Sequence, residues 1–242
     1  KDYKMSIKDI KALTFDTGGT ILDWHTGFKN AFEKAGKEHN IERNWAEITN
    51  ELRRKSLKRV LNLGENSPPK YNFDGGHKIA LKEVISDYNL NEFTEDNIHD
   101  ISYRAPHNFI VWDDFPAALS KLKEKFLCVS FTLLSFKLII DTARKNNLSW
   151  DAVFSCEGIG KYKILPEAYE TAAKWLQLEP SECGMVACHN FDLDAAKKVG
   201  FKTIFVKRPL EWGEAGPPDP EANPHHDLIV NNFSELTESL EC

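Results

Sequence analysis

Hydrophobic positions along the chain fall into two kinds of run. Ile10-Lys-Ala-Leu-Thr-Phe-Asp16 is almost continuously apolar until it ends on an acid, as in a parallel strand covered on both faces. Phe126–Thr132 repeats that pattern, and Asp151–Ser155, Gly184–Cys188, Lys202–Val206 and Asp227–Val230 are shorter versions. Between them lie amphipathic stretches. Ser135 caps one that carries Leu138, Ile139 and Ala143 on one side and ends near Asn146-Asn147. Pro166-Glu167 opens another, striped with Ala168, Ala172, Trp175 and Leu176. A third runs from Asp192 to Val199 and stops at Gly200, and Ser234 starts the last. Strands alternating with helices predict an α/β fold built on a doubly wound parallel sheet.

Residues 25–113 break this alternation. They carry helical stripes (Trp45, Ile48 and Leu52; Ile79, Leu81, Val84, Ile85 and Tyr88), dense charge and no strand pattern, with a polar break from Gly64 to Gly76. The expected organisation is a core of residues 1–24 and 114–242, with a helical cap domain, 25–113, inserted after the first strand. Such an insert would lie over the carboxyl ends of the strands as a lid. Gly216–Pro224 reads as a loop.

Composition narrows the classes. The 242 residues are 41% hydrophobic and 28% charged, which suits a folded globular protein. A net charge of −6 gives no electrostatic case for nucleic acid or an anionic membrane. No apolar run approaches the roughly 18 residues that span a bilayer, and Lys1–Met5 does not read as a signal peptide. Cys128, Cys156, Cys183, Cys188 and Cys242 form no CxxC pair. Neither zinc nor a disulfide framework is expected, and the expected setting is the reduced cytoplasm.

A doubly wound sheet gathers its strand ends at one edge, where ligands bind. Asp16 ends the first run, followed by Thr17-Gly18-Gly19-Thr20; Thr132 ends the second; Lys163 precedes the Pro166 helix; Cys188-His189-Asn190-Phe191-Asp192 ends the fourth. A carboxylate in this position can act as a covalent nucleophile. Simpler readings exist for each: a turn residue at Asp16, a strand-end hydroxyl at Thr132, a solvated Lys163, a helix N-cap at Asp192, a structural His189. His25, His107 and Trp112 read as packing residues, Cys188 as a small buried hydrophobe, and His225-His226 as exposed.

The ordered set resembles the haloacid dehalogenase-like superfamily. Phe15-Asp16-Thr-Gly-Gly19-Thr20 is similar to its nucleophile motif, Thr132 to its second, Tyr162-Lys163-Ile-Leu-Pro166-Glu-Ala-Tyr169 to its lysine motif, and Asp192 through Gly200 to its acidic motif. Most members of that superfamily are Mg²⁺-dependent phosphatases, but two positions depart from that branch. The general acid two residues after the nucleophile is replaced by Gly18, and an acidic metal ligand by Cys188. A halide leaves without protonation, and a thiol suits Mg²⁺ poorly. The resemblance is therefore to the metal-free type II 2-haloacid dehalogenases. It implies hydrolysis of small 2-haloacids such as haloacetates, fluoroacetate included, with no cofactor or metal and in a homodimer. Asp16 would form an ester that water, activated by Asp192 and His189, hydrolyses. Lys163 would keep Asp16 ionised, Thr132 would orient it, and Thr17, Gly18, Arg53 and Asn190 would bind substrate. Arg53 also has a simpler reading as a surface helix charge. Departures from the dehalogenase pattern stand at Gly18, Leu133, Ile164 and His189. A Mg²⁺-dependent phosphatase and a non-catalytic anion- or partner-binding relative are the alternatives.

Overall fold

Ala12–Phe15 (β1) is buried at all four positions and forms the middle of a sheet. The computed structural model describes residues 7–62 and 70–242. Its strands are β1, Leu127–Thr132 (β2), Ala152–Ser155 (β3), Cys183–Ala187 (β4), Lys202–Val206 (β5) and Leu228–Val230 (β6), and all six predicted runs are present. The order is β3-β2-β1-β4-β5-β6, with every pairing parallel. Sequence order reverses direction on either side of β1, so the crevice between the ends of β1 and β4 is the switch point of the sheet.

Helices lie around this sheet, and their ends follow the predicted chemistry. Ser135 caps Phe136–Lys145 by accepting from Leu138 N at 3.1 Å. Pro166 opens Pro166–Leu176, and Gly200, at φ 109°, closes Asn190–Val199. The last helix, Phe233–Ser239, starts one residue earlier than predicted because Asn232 supplies its cap.

Between β1 and β2 the chain is helical: Trp24–Glu38 (α1), Trp45–Asn62 (α2), Phe73–Asp87 (α3) and Glu95–His99 (α4), then a π turn and a 3₁₀ turn. The polar break is shorter than the sequence suggests. Asn72 accepts from Gly75 N and starts α3, so residues 73–76 are helical, while residues 63–69 lie outside the described residues. The segment leaves and re-enters the sheet layer at one place: Asp23 N donates to Ile110 O, Trp112 N donates to Ile21 O, and Leu22 bridges Val111. Beneath, Phe15 packs against Phe115 and Phe233 in a continuous core. No described helix is long and apolar enough to cross a membrane.

Candidate active site

Asp16 is the first residue beyond β1, and its backbone amide still donates to Val186 O of β4. Its carboxylate is 7% exposed and faces a different set of donors at each oxygen. Thr20 Oγ1 donates to Oδ2 at 2.8 Å, and His189 Nδ1 lies 3.1 Å from the same oxygen. Lys163 Nζ lies 3.3 Å from Oδ1. Burial works against the charged form, but Lys163, His189 and Thr20 outweigh it and hold the carboxyl well below the usual range.

Lys163 reaches the centre, with 1% of its side chain exposed. Its ammonium sits between two carboxylates, 2.8 Å from Asp192 Oδ2, and over the Phe131 ring. Burial lowers its pKa, and the Asp192 and Asp16 charges more than restore it. Asp192 lies in the first turn of its helix and does not cap it; Tyr169 OH donates to its Oδ1 at 2.6 Å. Burial raises its pKa despite Lys163. Thr132 Oγ1 is 2.6 Å from Thr17 Oγ1 and accepts from Leu134 N.

His189 stands at the end of β4 with a carboxylate on each nitrogen: Asp16 at Nδ1, and Glu211 Oε1 at Nε2, 2.8 Å away. Burial alone would lower its pKa. Cys188, Glu211 and Asp16 reverse this and raise it well above 6.5. Burial also pushes the Cys188 thiol up to about 11, so the thiol is neutral and the two carboxylates carry the effect.

Arg53 comes from α2 and is 5% exposed, which excludes the surface-charge reading. Its guanidinium lies over the Trp24 ring, 5.2 Å from the centroid, with Nη2 3.5 Å from Gly18 O. Nε has no partner. A Cβ at Gly18 would lie 3.4 Å from Nη2, in ordinary contact with the guanidinium. The amides of Thr17 and Gly18 find no backbone acceptor among the described residues.

Asp16, Gly18, Arg53, Thr132, Lys163, His189 and Asp192 share one small cavity with Leu57, Phe73, Leu133, Leu134 and Phe191, and the buried Thr17 does not line it. It has about 20 Å³ of room for the centre of a water-sized sphere, little more than one water requires. Asn190 is not in it. Its side chain turns to the loop after β5, donating to Asp219 Oδ2 and Glu221 O and accepting from Asn223 N and His226. The same packing buries His226, against the expectation of exposure, while His225 pairs with Asp194. Sequence reasoning gave no role to Thr20, Tyr169 or Glu211. The first two lie inside motifs already quoted; Glu211, in Glu211-Trp212-Gly213, belongs to a stretch similar to dehalogenases but has no pattern that assigns it a role.

The donor set does not suit a hard divalent ion such as Mg²⁺, which needs several oxygen ligands. The Lys163 ammonium fills the space between Asp16 and Asp192, and Cys188 contributes a neutral thiol.

A parallel switch-point crevice holding an ionised aspartate, a buried lysine and a second aspartate defines a doubly wound hydrolytic enzyme. The chain belongs to the haloacid dehalogenase-like hydrolase family, which matches residues 10–200. Relatives agree along most of the chain. The (S)-2-haloacid dehalogenase 4A of Burkholderia cepacia is 24% identical over 237 residues, covering 95% of this chain and 94% of the relative. The crystal structure of an L-2-haloacid dehalogenase aligns with a TM-score of 0.85 at 29% identity, over 96% of this chain and 99% of that one. A defluorinating L-2-haloacid dehalogenase aligns with a TM-score of 0.87 at 26% identity, over 96% of both chains.

Proposed function

We propose that this protein hydrolyses the carbon–halogen bond of small 2-haloacids without a metal ion, through an ester on Asp16. The observation that carries the reading is the Asp16–Lys163–Asp192 cluster beneath Arg53. Asp16 Oδ1 attacks the carbon bearing the halogen, whose bonding pair leaves with the halide. Lys163 keeps the nucleophile ionised, and Thr132, through Thr17, fixes the loop that carries it. Arg53 and the amides of Thr17 and Gly18 take the substrate carboxylate and the departing halide. Asp192, its pKa raised by burial, takes a proton from the water that then attacks Asp16 Cγ. The helices over the strand ends form a lid that excludes bulk water during the ester stage.

The relatives named above support the substrate class, and the defluorinating relative supports including fluoroacetate in the panel. The test is halide release from chloro-, bromo- and fluoroacetate and from 2-chloropropionate in the presence of a chelator. Release from at least one is expected. No release from any of them, together with Mg²⁺-dependent phosphate release from phosphoesters, would refute the proposal.

A further inference from the structure

We propose that Glu211 is a positioning residue for the hydrolytic half of the reaction. Acting through His189, it completes a donor cradle around Asp16 Oδ2, the oxygen that gains charge when water attacks the ester. This rests on Asp16 being the nucleophile.

The two oxygens of Asp16 are not equivalent. Oδ2 is held by Thr20 Oγ1 at 2.8 Å and by His189 Nδ1 at 3.1 Å, whereas Oδ1 has, among the described residues, Lys163 alone, at 3.3 Å. Oδ1 is therefore the freer to attack, and Oδ2 becomes the ester carbonyl. When water adds to Cγ, the carbonyl π pair moves to Oδ2 and one water proton passes to Asp192. Collapse restores the C=O bond and breaks the Cγ–Oδ1 bond. Oδ1 leaves with the substrate carbon, takes the proton from Asp192, and departs as the hydroxyl of a 2-hydroxy acid. Donors already aimed at Oδ2 stabilise this step most.

His189 donates from Nδ1 only if that nitrogen carries a proton. A neutral imidazole has one N–H, and with an acceptor on each nitrogen the second proton must be held in place. Glu211 holds it. Its carboxylate is 1% exposed and accepts from His189 Nε2 at 2.8 Å and from Trp24 Nε1 at 3.1 Å, with Cys188 Sγ 3.4 Å from its other oxygen. Backbone geometry is shaped to admit it. Gly19 has φ 90°, and a Cβ there would overlap the Glu211 carboxylate. The second glycine after the nucleophile thus makes room for Glu211. The charged groups near His189 are Asp16 and Glu211 in contact, Arg53 from α2, and Lys163 and Asp192 on the far side of Asp16. The two cations oppose its protonation and the contacting carboxylates favour it. Once Asp16 is an ester, Glu211 is the one contacting carboxylate left.

The test is E211Q, which keeps an oxygen for Trp24, in a single turnover of bromoacetate. Bromide release is expected within about twofold of wild type. Ester hydrolysis is expected to slow by about 10–100-fold, with the ester adduct accumulating on Asp16 in intact-protein mass spectra. In the H189N background, E211Q should add less than about twofold, since Glu211 acts through His189. Glu211→Asp, which keeps the charge, should hydrolyse the ester faster than E211Q. Hydrolysis at the wild-type rate in E211Q, the same penalty in both backgrounds, or equal rates in E211D and E211Q would overturn the proposal. A readout independent of turnover is the ¹⁵N NMR titration of His189. It is expected to titrate well above the ordinary imidazole range in wild type and lower in E211Q; an unchanged titration overturns the proposal. If wild type releases no bromide, the dehalogenase reading fails, and the titration alone still decides the link between Glu211 and His189.

Discussion

The two walls of the cavity are built on opposite principles. On the sheet side, Asp16, Lys163, Asp192, Thr132 and His189 are bonded to one another or to Thr17, Thr20, Tyr169 and Glu211, so their charges are paired before any ligand arrives. On the helical side, Arg53 stands among Leu57 and Phe73 over the Trp24 ring, with an Nε unpartnered among the described residues and one long hydrogen bond, to Gly18 O. A buried cation left short of acceptors is costly unless an anion completes it. Under the proposed mechanism the difference divides the work: the saturated wall would hold reacting groups at fixed angles, and the unsaturated wall would bind.

The largest effect should follow from removing the atom on which the sheet side converges. Asp16→Asn keeps the acceptor for Thr20 but loses the nucleophile, so halide release should fall by at least about 10⁴-fold, with no adduct in intact-protein mass spectra. Activity within tenfold of wild type would mean that the saturated wall is structural and the comparison wrongly drawn.

Arg53→Met sharpens the contrast from the other side. Losing a charge-assisted contact to the substrate anion should raise KM by about 10–100-fold. Hydrolysis of an ester already formed on Asp16 should be roughly unchanged, because no group on the helical side touches Cγ. Steady-state kinetics together with a single-turnover quench separate the two. A hydrolysis rate that falls in step with the KM change would merge the two walls into one functional unit.

Legibility in the sequence divides along the same line. Asp16, Thr132, Lys163 and Asp192 each stand at the end of a short apolar run or beside a helix start, so local pattern and parallel topology were enough to bring them together. Arg53 lies on an amphipathic helix whose placement over Gly18 depends on how that helix packs across the strand ends. Its burial is a tertiary fact, and the surface reading was equally compatible with its neighbours. Asn190 shows the limit of adjacency. It follows His189 in sequence, yet the helix turn that points Asp192 inward points Asn190 at the loop after β5. Glu211 drew no role because a loop acid has no periodicity, and the overlap with Gly19 shows what its place in the fold requires.

The smallest expected effect tests how the helical side is fastened to the sheet side. His107, buried where the inserted segment returns, bonds Asp74 of α3 at 3.0 Å and Asp141 of Phe136–Lys145 at 2.7 Å. Asp74 also accepts from Ser135 at the start of that helix, and Tyr103 stacks on the imidazole. Burial lowers the pKa of His107, and the two carboxylates outweigh it, leaving the folded-state pKa above 6.5. The contribution of a raised pKa is fully present below the unfolded value and is lost as pH rises through the folded one. Wild type should therefore lose about 1–2 kcal/mol more stability than His107→Gln on going from about pH 6 to about pH 9, measured by urea unfolding at both values. His189 has the same sign but is present in both proteins, so it cancels in the difference. His77, held down to about 3 by burial, contributes with the opposite sign as its unfolded form loses a proton across the window, but it too is present in both proteins and cancels. If the two proteins lose stability in parallel, the three-residue contact does not fasten the walls, and the inserted helices are held by their apolar faces alone.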